Sequence, residues 1–186
     1  MSRLSPPVSD SDHRAGPDDS RVTLVEYGDY ECPHCGRAYP IVREVQRRMD
    51  RRLRFVFRNF PLSEMHPHAE HASEAAEAAA AQGRFWEMHD WLYEHQDALE
   101  DPDLVRAAKK LGLDERRVEQ ELANGTHAGR VRQDLRSGVR SGVNGTPTFF
   151  ISGVRHDGPW ELDTLLEVLE EVGEKAVPPA ARERSR

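Results

Sequence analysis

The sequence predicts an α/β fold: a β–α–β unit, then an all-helical insertion between the second and third strands, then a β–β–α unit. Three observations predict it. An apolar run ending at Tyr27 and an alternating run over Leu53 to Phe57 flank an amphipathic stretch. No strand pattern occurs from about Pro67 to Gly142. A short apolar hairpin followed by a leucine-faced segment closes the chain.

Val22 to Tyr27 reads as a buried strand, and Pro33 to about Asp50 as a helix with Ile41, Val42, Val45 and Met49 at helical spacing. Leu53, Phe55 and Phe57 alternate with Arg54 and Val56, which is a second strand. Strand, helix and strand in such short order make the two strands parallel, with a right-handed crossover. Residues 68 to 82 are rich in Ala and Glu, and Phe85, Trp86, Met88, Trp91 and Leu92 add a helical stripe that reads as packing rather than as a cofactor box. Asp101-Pro102 opens a helix ending near Gly112, Asp114 opens another that stops at Asn124-Gly125, and Thr126 caps a last one with Val131, Leu135 and Val139 on its apolar face. Thr148 to Ile151 and Val154 to Asp157 pair through Ser152-Gly153. Gly158-Pro159 ends the hairpin, and Leu162, Leu165, Leu166 and Leu169 face a closing helix.

These elements make a single domain over residues 21–173, with the helical insertion over about 66–142. Residues 1–20, dense in Ser, Pro and Asp, are expected to be a disordered tail, and 174–186 a loose one. A net charge of −7 and a pI near 5.7 argue against a nucleic-acid or anionic-membrane surface. No run reaches the roughly 18 apolar residues of a membrane span, and none suits a signal peptide, so a cytoplasmic chain is expected.

The chemistry concentrates at Cys32-Pro33-His34-Cys35, which holds both cysteines of the chain at the end of the first strand. Two intervening residues let both sulfurs sit on the first turn of a helix, within reach of a disulfide. Pro33 suits the first helical position, which makes Cys32 the N-cap. There the free N–H groups and the helix dipole favour a thiolate, so the Cys32 pKa should be depressed; His34 adds a donor, and a positive charge when protonated, beside that sulfur. Cys35, a turn deeper, should be the less exposed resolving thiol. A structural disulfide would constrain little in so short a loop, a zinc knuckle needs two further ligands, and haem attachment needs His where Gly36 stands. His66, His68, His71 and Glu70 read as helix-start residues on a solvated face rather than a metal site, and His89 and His95 as surface residues. No metal and no cofactor is expected.

With Cys-Pro-His-Cys after the first strand and Gly145-Thr146-Pro147 ahead of the third, the order of elements resembles the thioredoxin fold, and specifically the DsbA-like thiol:disulfide oxidoreductases, over about residues 20–172. The resemblance implies that Pro147 is cis and faces the sulfurs, and that the backbone of Thr146 pairs with an extended substrate segment. It also implies that Glu26 is a buried acid that relays a proton to or from Cys35. Without it, Pro147 reads as an ordinary strand-entry proline and Glu26 as an exposed edge acid. The implied activity is dithiol/disulfide exchange with protein thiols or disulfides. With no third cysteine in the chain, an external partner such as thioredoxin or glutathione must reset the centre. Two alternatives stand beside it: a glutathione-linked small-molecule reductase or isomerase on the same fold, and a non-catalytic redox-sensing or zinc-binding module.

Overall fold

The structure, a computed structural model, describes residues 2–176. Strands β1 (His13–Ala15), β2 (Val22–Gly28), β3 (Leu53–Asn59), β4 (Thr148–Ile151) and β5 (Val154–His156) form one sheet in the order β1-β3-β2-β4-β5. As expected of a βαβ unit, β2 and β3 are parallel; every other pair is antiparallel. Because β2 is central and covered on both faces, its sequence is apolar almost throughout rather than alternating.

Helix α1 (Pro33–Met49) connects β2 to β3, and α2 (Ala69–Ala80), α3 (Phe85–Glu94), α4 (Asp101–Lys110), α5 (Glu115–Ala123) and α6 (Ala128–Arg140) form the insertion. The closing helix is α7 (Leu162–Lys175). One face of the sheet, with Leu24, Phe55, Phe57 and Phe149, packs on α1, α3 and α7. The other, with Val25, Tyr27, Val56 and Phe150, packs on Leu135 of α6 and on Leu4 and Val8 of the N-terminal segment. Ser152 and Gly153 turn the last hairpin with φ of 46° and 82°, the left-handed pair that suits the twist of two strands joined by two residues.

Three expectations are corrected. Residues 2–20 are not a disordered tail. They supply strand β1, the buried Leu4, and the partners of a buried cation. Arg58 donates to the Asp12 carboxylate at 2.8 and 3.1 Å and to the Pro6 and Pro7 carbonyls at 3.1 and 3.2 Å. His13 stacks on Phe85 at 3.5 Å and bonds Glu77 at 2.9 Å. A polar composition forgoes apolar burial, but here it satisfies charges that the sheet and helices bury. Next, His89 is buried in an aromatic cage with Tyr30, Phe57 and Trp86, and burial holds its pKa down to about 3. Last, Val139 is exposed, because eight residues along a helix of 3.6 per turn carry it off the face of Val131; Gly138 lies on the buried side, close under the Phe60 ring.

The helix caps fall within a residue or so of their expected places: Asp114 caps α5 by accepting from Arg117 N at 3.1 Å, whereas Glu100 rather than Asp101 and His127 rather than Thr126 precede α4 and α6. Residues 174 and 175 belong to α7 and Ala176 is its C-cap; the remainder of the expected loose tail, 177–186, lies outside the described residues. No helix among the described residues is long and apolar enough to cross a membrane.

Candidate active site

The two cysteines meet at the carboxyl end of the central strand. Cys32 is the extended N-cap of α1, Pro33 takes the first helical position, and Cys35 is fully buried one turn in. Both are free thiols and both are buried, Cys32 keeping 4% of its area exposed and Cys35 none. The turn that delivers Cys32 is held from two sides. The carboxylate of buried Asp29 accepts from the backbone N–H of Glu31 at 2.8 Å and of Cys32 at 3.2 Å, an Asx turn. From beyond α3, the Gln96 amide donates to the carbonyls of Tyr30 at 2.7 Å and Cys32 at 3.0 Å. Gly36 leaves the space for it: a Cβ there would lie 2.0 Å from Gln96 Oε1.

The two sulfurs differ sharply in acidity. The Cys35 thiol donates to Cys32 and is the largest cause pulling the Cys32 pKa down to about 5; burial opposes it, while Thr146 and the backbone N–H groups of Cys35 and His34 add to it. Cys35 moves the other way, pushed up by burial first and then by its bond to Cys32 and the charges of Glu26 and Cys32. One sulfur is therefore a thiolate at neutral pH and the other holds its proton.

Glu26 lies in mid-β2 beneath this pair, paired in register with Phe57 and Phe149, and it is buried with its Oε1 lacking a hydrogen-bond partner. Burial, and then the Cys32 charge, raise its pKa from 4.5 to about 8. Between those values the folded chain holds a proton that the unfolded chain releases, so stability is full below pH 4.5 and declines as pH rises towards 8. Glu26→Gln is expected to remove this decline, a difference on the order of 3 kcal/mol by pH 7. Urea unfolding across that pH range measures it, and parallel curves for variant and wild type would refute it.

Thr146 and Pro147 lie across from Cys32. Their peptide bond is cis, and in its thiol form Cys32 donates to the Thr146 carbonyl at 3.5 Å. The structure thus brings Cys32, Cys35, Glu26 and Thr146 together. His34 is adjacent, but its imidazole is exposed and accepts from Arg37 at 2.8 Å; what it turns towards Cys32 is its backbone N–H.

Sequence reading missed Asp29, Gln96 and His66. Asp three residues ahead of an N-cap cysteine is a signal for an Asx turn, but nothing local marks Gln96, which is 64 residues away from Cys32. His66 is not on a solvated face: its Nδ1 donates to Asp29 at 2.8 Å and its side chain is 17% exposed. His71 pairs instead with Asp101 at 2.6 Å. Among the described residues no group of three or more His, Cys, Asp or Glu is placed to hold a metal.

A central parallel pair, a Cys-x-x-Cys helix start, a facing Thr-Pro step and a helical insertion define a protein of the thioredoxin fold. The chain belongs to the family described as Thioredoxin, which it matches over residues 9–171. Its structural neighbours include oxidised BdbD from Bacillus subtilis, with a TM-score of 0.78 and 24% identity over 87% of this chain and 92% of that one. A thioredoxin-like oxidoreductase from Silicibacter pomeroyi gives 0.78 and 25% over 89% and 94%. Wolbachia pipientis alpha-DsbA1 gives 0.78 and 18% over 91% and 94%. In sequence the chain is 50% identical over 163 residues to Na(+)/H(+) antiporter NhaA 3 of Salinispora tropica, covering 87% of this chain and 25% of that protein. It is 42% identical over 174 residues to Na(+)/H(+) antiporter NhaA 1 of Mycobacterium sp. (strain KMS), covering 91% and 28%. The chain spans about a quarter of the length of the curated relatives it matches.

Proposed function

We propose that the chain catalyses thiol:disulfide exchange on protein substrates through Cys32 and Cys35. The observation that carries the reading is the split between the sulfurs: Cys32 ionised with a pKa near 5 and keeping a small exposed area, and Cys35 fully buried and protonated behind it.

In the oxidising direction a substrate thiolate attacks Cys32 Sγ of the disulfide form, the S–S bond breaks, and Cys35 leaves with the electron pair. Glu26 supplies the proton that Cys35 takes up, which a carboxyl titrating near 8 is suited to do at neutral pH. A second substrate thiolate then attacks the substrate sulfur of the mixed disulfide and expels Cys32 as a thiolate. The substrate, reacting as thiolates, loses two electrons to the chain; Cys32 stays a thiolate, and Glu26, having given its proton to Cys35, is reprotonated from solvent. Thr146 offers its backbone beside Cys32 to an extended substrate segment, with Pro147 keeping that ledge opposite the sulfurs. An external dithiol or disulfide, of the thioredoxin or glutathione kind, resets the pair.

Stabilising the Cys32 thiolate stabilises the reduced chain, which favours the oxidising direction and fits an oxidising compartment better than the cytoplasmic one expected from sequence. Turnover of a dithiol peptide by the wild-type chain tests the reaction, and equilibration with glutathione tests its direction. The expected potential lies well above the roughly −270 mV of thioredoxin, and a value at that level would overturn the oxidant reading.

The relatives favour a second reading. Proteins named as Na(+)/H(+) antiporters contain a matching segment that makes up about a quarter of their length, which favours a reading in which the thiols served by this chain are those of a membrane transporter on which it acts as a redox regulator.

A further inference from the structure

The imidazole of the motif histidine is taken up by an arginine, while a second imidazole is bound to the carboxylate behind Cys32. His34 points to Arg37, whereas His66, in the connection between β3 and α2, is bound to the carboxylate that builds the turn into Cys32. Asp29 is fully buried and accepts four hydrogen bonds: from Glu31 N at 2.8 Å and Cys32 N at 3.2 Å on Oδ1, and from Leu62 N and His66 Nδ1, each at 2.8 Å, on Oδ2. Glu31 adds a second tie by accepting from His68 N at 2.7 Å. The imidazole and the backbone N–H of the residue that carries the sulfur are thus bound to opposite oxygens of one carboxylate, and Leu62, His68 and Glu31 leave the loop little freedom to swing away.

We propose that His66, positioned by Asp29, is a cationic partner of the Cys32 thiolate and so sets how strongly the disulfide form oxidises. This rests on the exchange reading above and adds a residue outside the Cys-x-x-Cys motif. The charged groups that bear on the imidazole are Asp29, Cys32 and Glu31, all of them anionic and all from the turn ahead of α1. Burial lowers the His66 pKa, but the Asp29 hydrogen bond and these charges outweigh it and the net direction is upward. The attraction between Cys32 and His66 is mutual, so what holds the proton on His66 also helps to keep it off Cys32. Asp29 alone would work against the thiolate by placing a second negative charge beside it; with His66 bound, that charge is countered.

The test is the pH dependence of Cys32 alkylation by iodoacetamide in the reduced chain, with Cys35 left in place. His66→Gln keeps a donor for Asp29 but carries no charge, and is expected to raise the Cys32 pKa by about one unit. The glutathione equilibrium should then show a roughly tenfold weaker oxidant, about 30 mV more negative. His66→Lys restores a cation and should return the titration towards the wild-type value. An unchanged pKa in His66→Gln would overturn the proposal, as would equal shifts in the Gln and Lys variants, since loop packing alone explains those. Alkylation needs no turnover, so a chain that exchanges no disulfides yet still shows this coupling would refute the exchange reading and support the coupling.

Discussion

Cys32→Ser is expected to lower the rate of disulfide exchange by more than about 10³-fold, in either direction, without loss of fold. A serine hydroxyl at this helix N-terminus does not ionise at neutral pH and forms no disulfide with substrate. Cys35 has no means of taking over. It is fully buried, its pKa is raised by that burial, and the Cys32 sulfur that receives its hydrogen bond would be gone. The fold should survive because Cys32 contributes mainly its backbone to the turn: its N–H bonds Asp29 and its carbonyl accepts from Gln96. Insulin reduction and oxidation of a dithiol peptide, with far-ultraviolet circular dichroism as the control, measure the effect. Undiminished turnover would sink the assignment.

Arg58→Met is expected to cost about 3–5 kcal/mol of stability, the penalty for breaking one side of a buried ion pair. The Arg58 and Asp12 side chains are only 3% and 4% exposed, and the guanidinium also donates to Tyr27 Oη at 2.9 Å and to the Pro6 and Pro7 carbonyls. Removing the cation strands Asp12 and two carbonyls in the same recess. Burial alone would raise the Asp12 pKa, but the Arg58 hydrogen bond, the Ser9 N–H and the charges of Arg58 and Arg130 bring it below the ordinary 3.8. Asp12 therefore stabilises the fold above pH 3.8 and loses that contribution as pH falls through its lowered value, a dependence that Arg58→Met should largely abolish. Asp12→Asn together with Arg58→Met should recover part of the loss, since no lone charge is then buried. Urea unfolding measures both, with proteolysis of residues 2–20 as a local readout. An unchanged urea midpoint in Arg58→Met would mean that the Arg58–Asp12 pair contributes nothing to the fold.

Everything written in short-range pattern was legible in the chain. The Cys-Pro-His-Cys step defined the helix start, its N-cap thiol and the deeper second thiol, because helix geometry and capping depend on residues three or four apart. Alternation and helical stripes located the strands, the insertion and the closing hairpin for the same reason. The resemblance to DsbA-like proteins supplied Glu26 and Thr146-Pro147, positions that local chemistry alone left as an edge acid and a strand-entry proline. Tertiary structure decided the rest. The Arg58–Asp12 pair spans 46 residues, Asp29 reaches His66 across 37, and Gln96 reaches the Cys32 carbonyl across 64. None of these long-range pairings carries a local signature, and a composition rule read the N-terminal residues as free chain when buried Arg58 and Glu77 held them in place. The dithiol was thus determined by the sequence itself, down to which sulfur sits at the N-cap and which lies deeper. The charges that face it were decided only when packing brought distant carboxylates and imidazoles out of water, where an ionic contact gains strength and an unpartnered charge becomes too costly to keep.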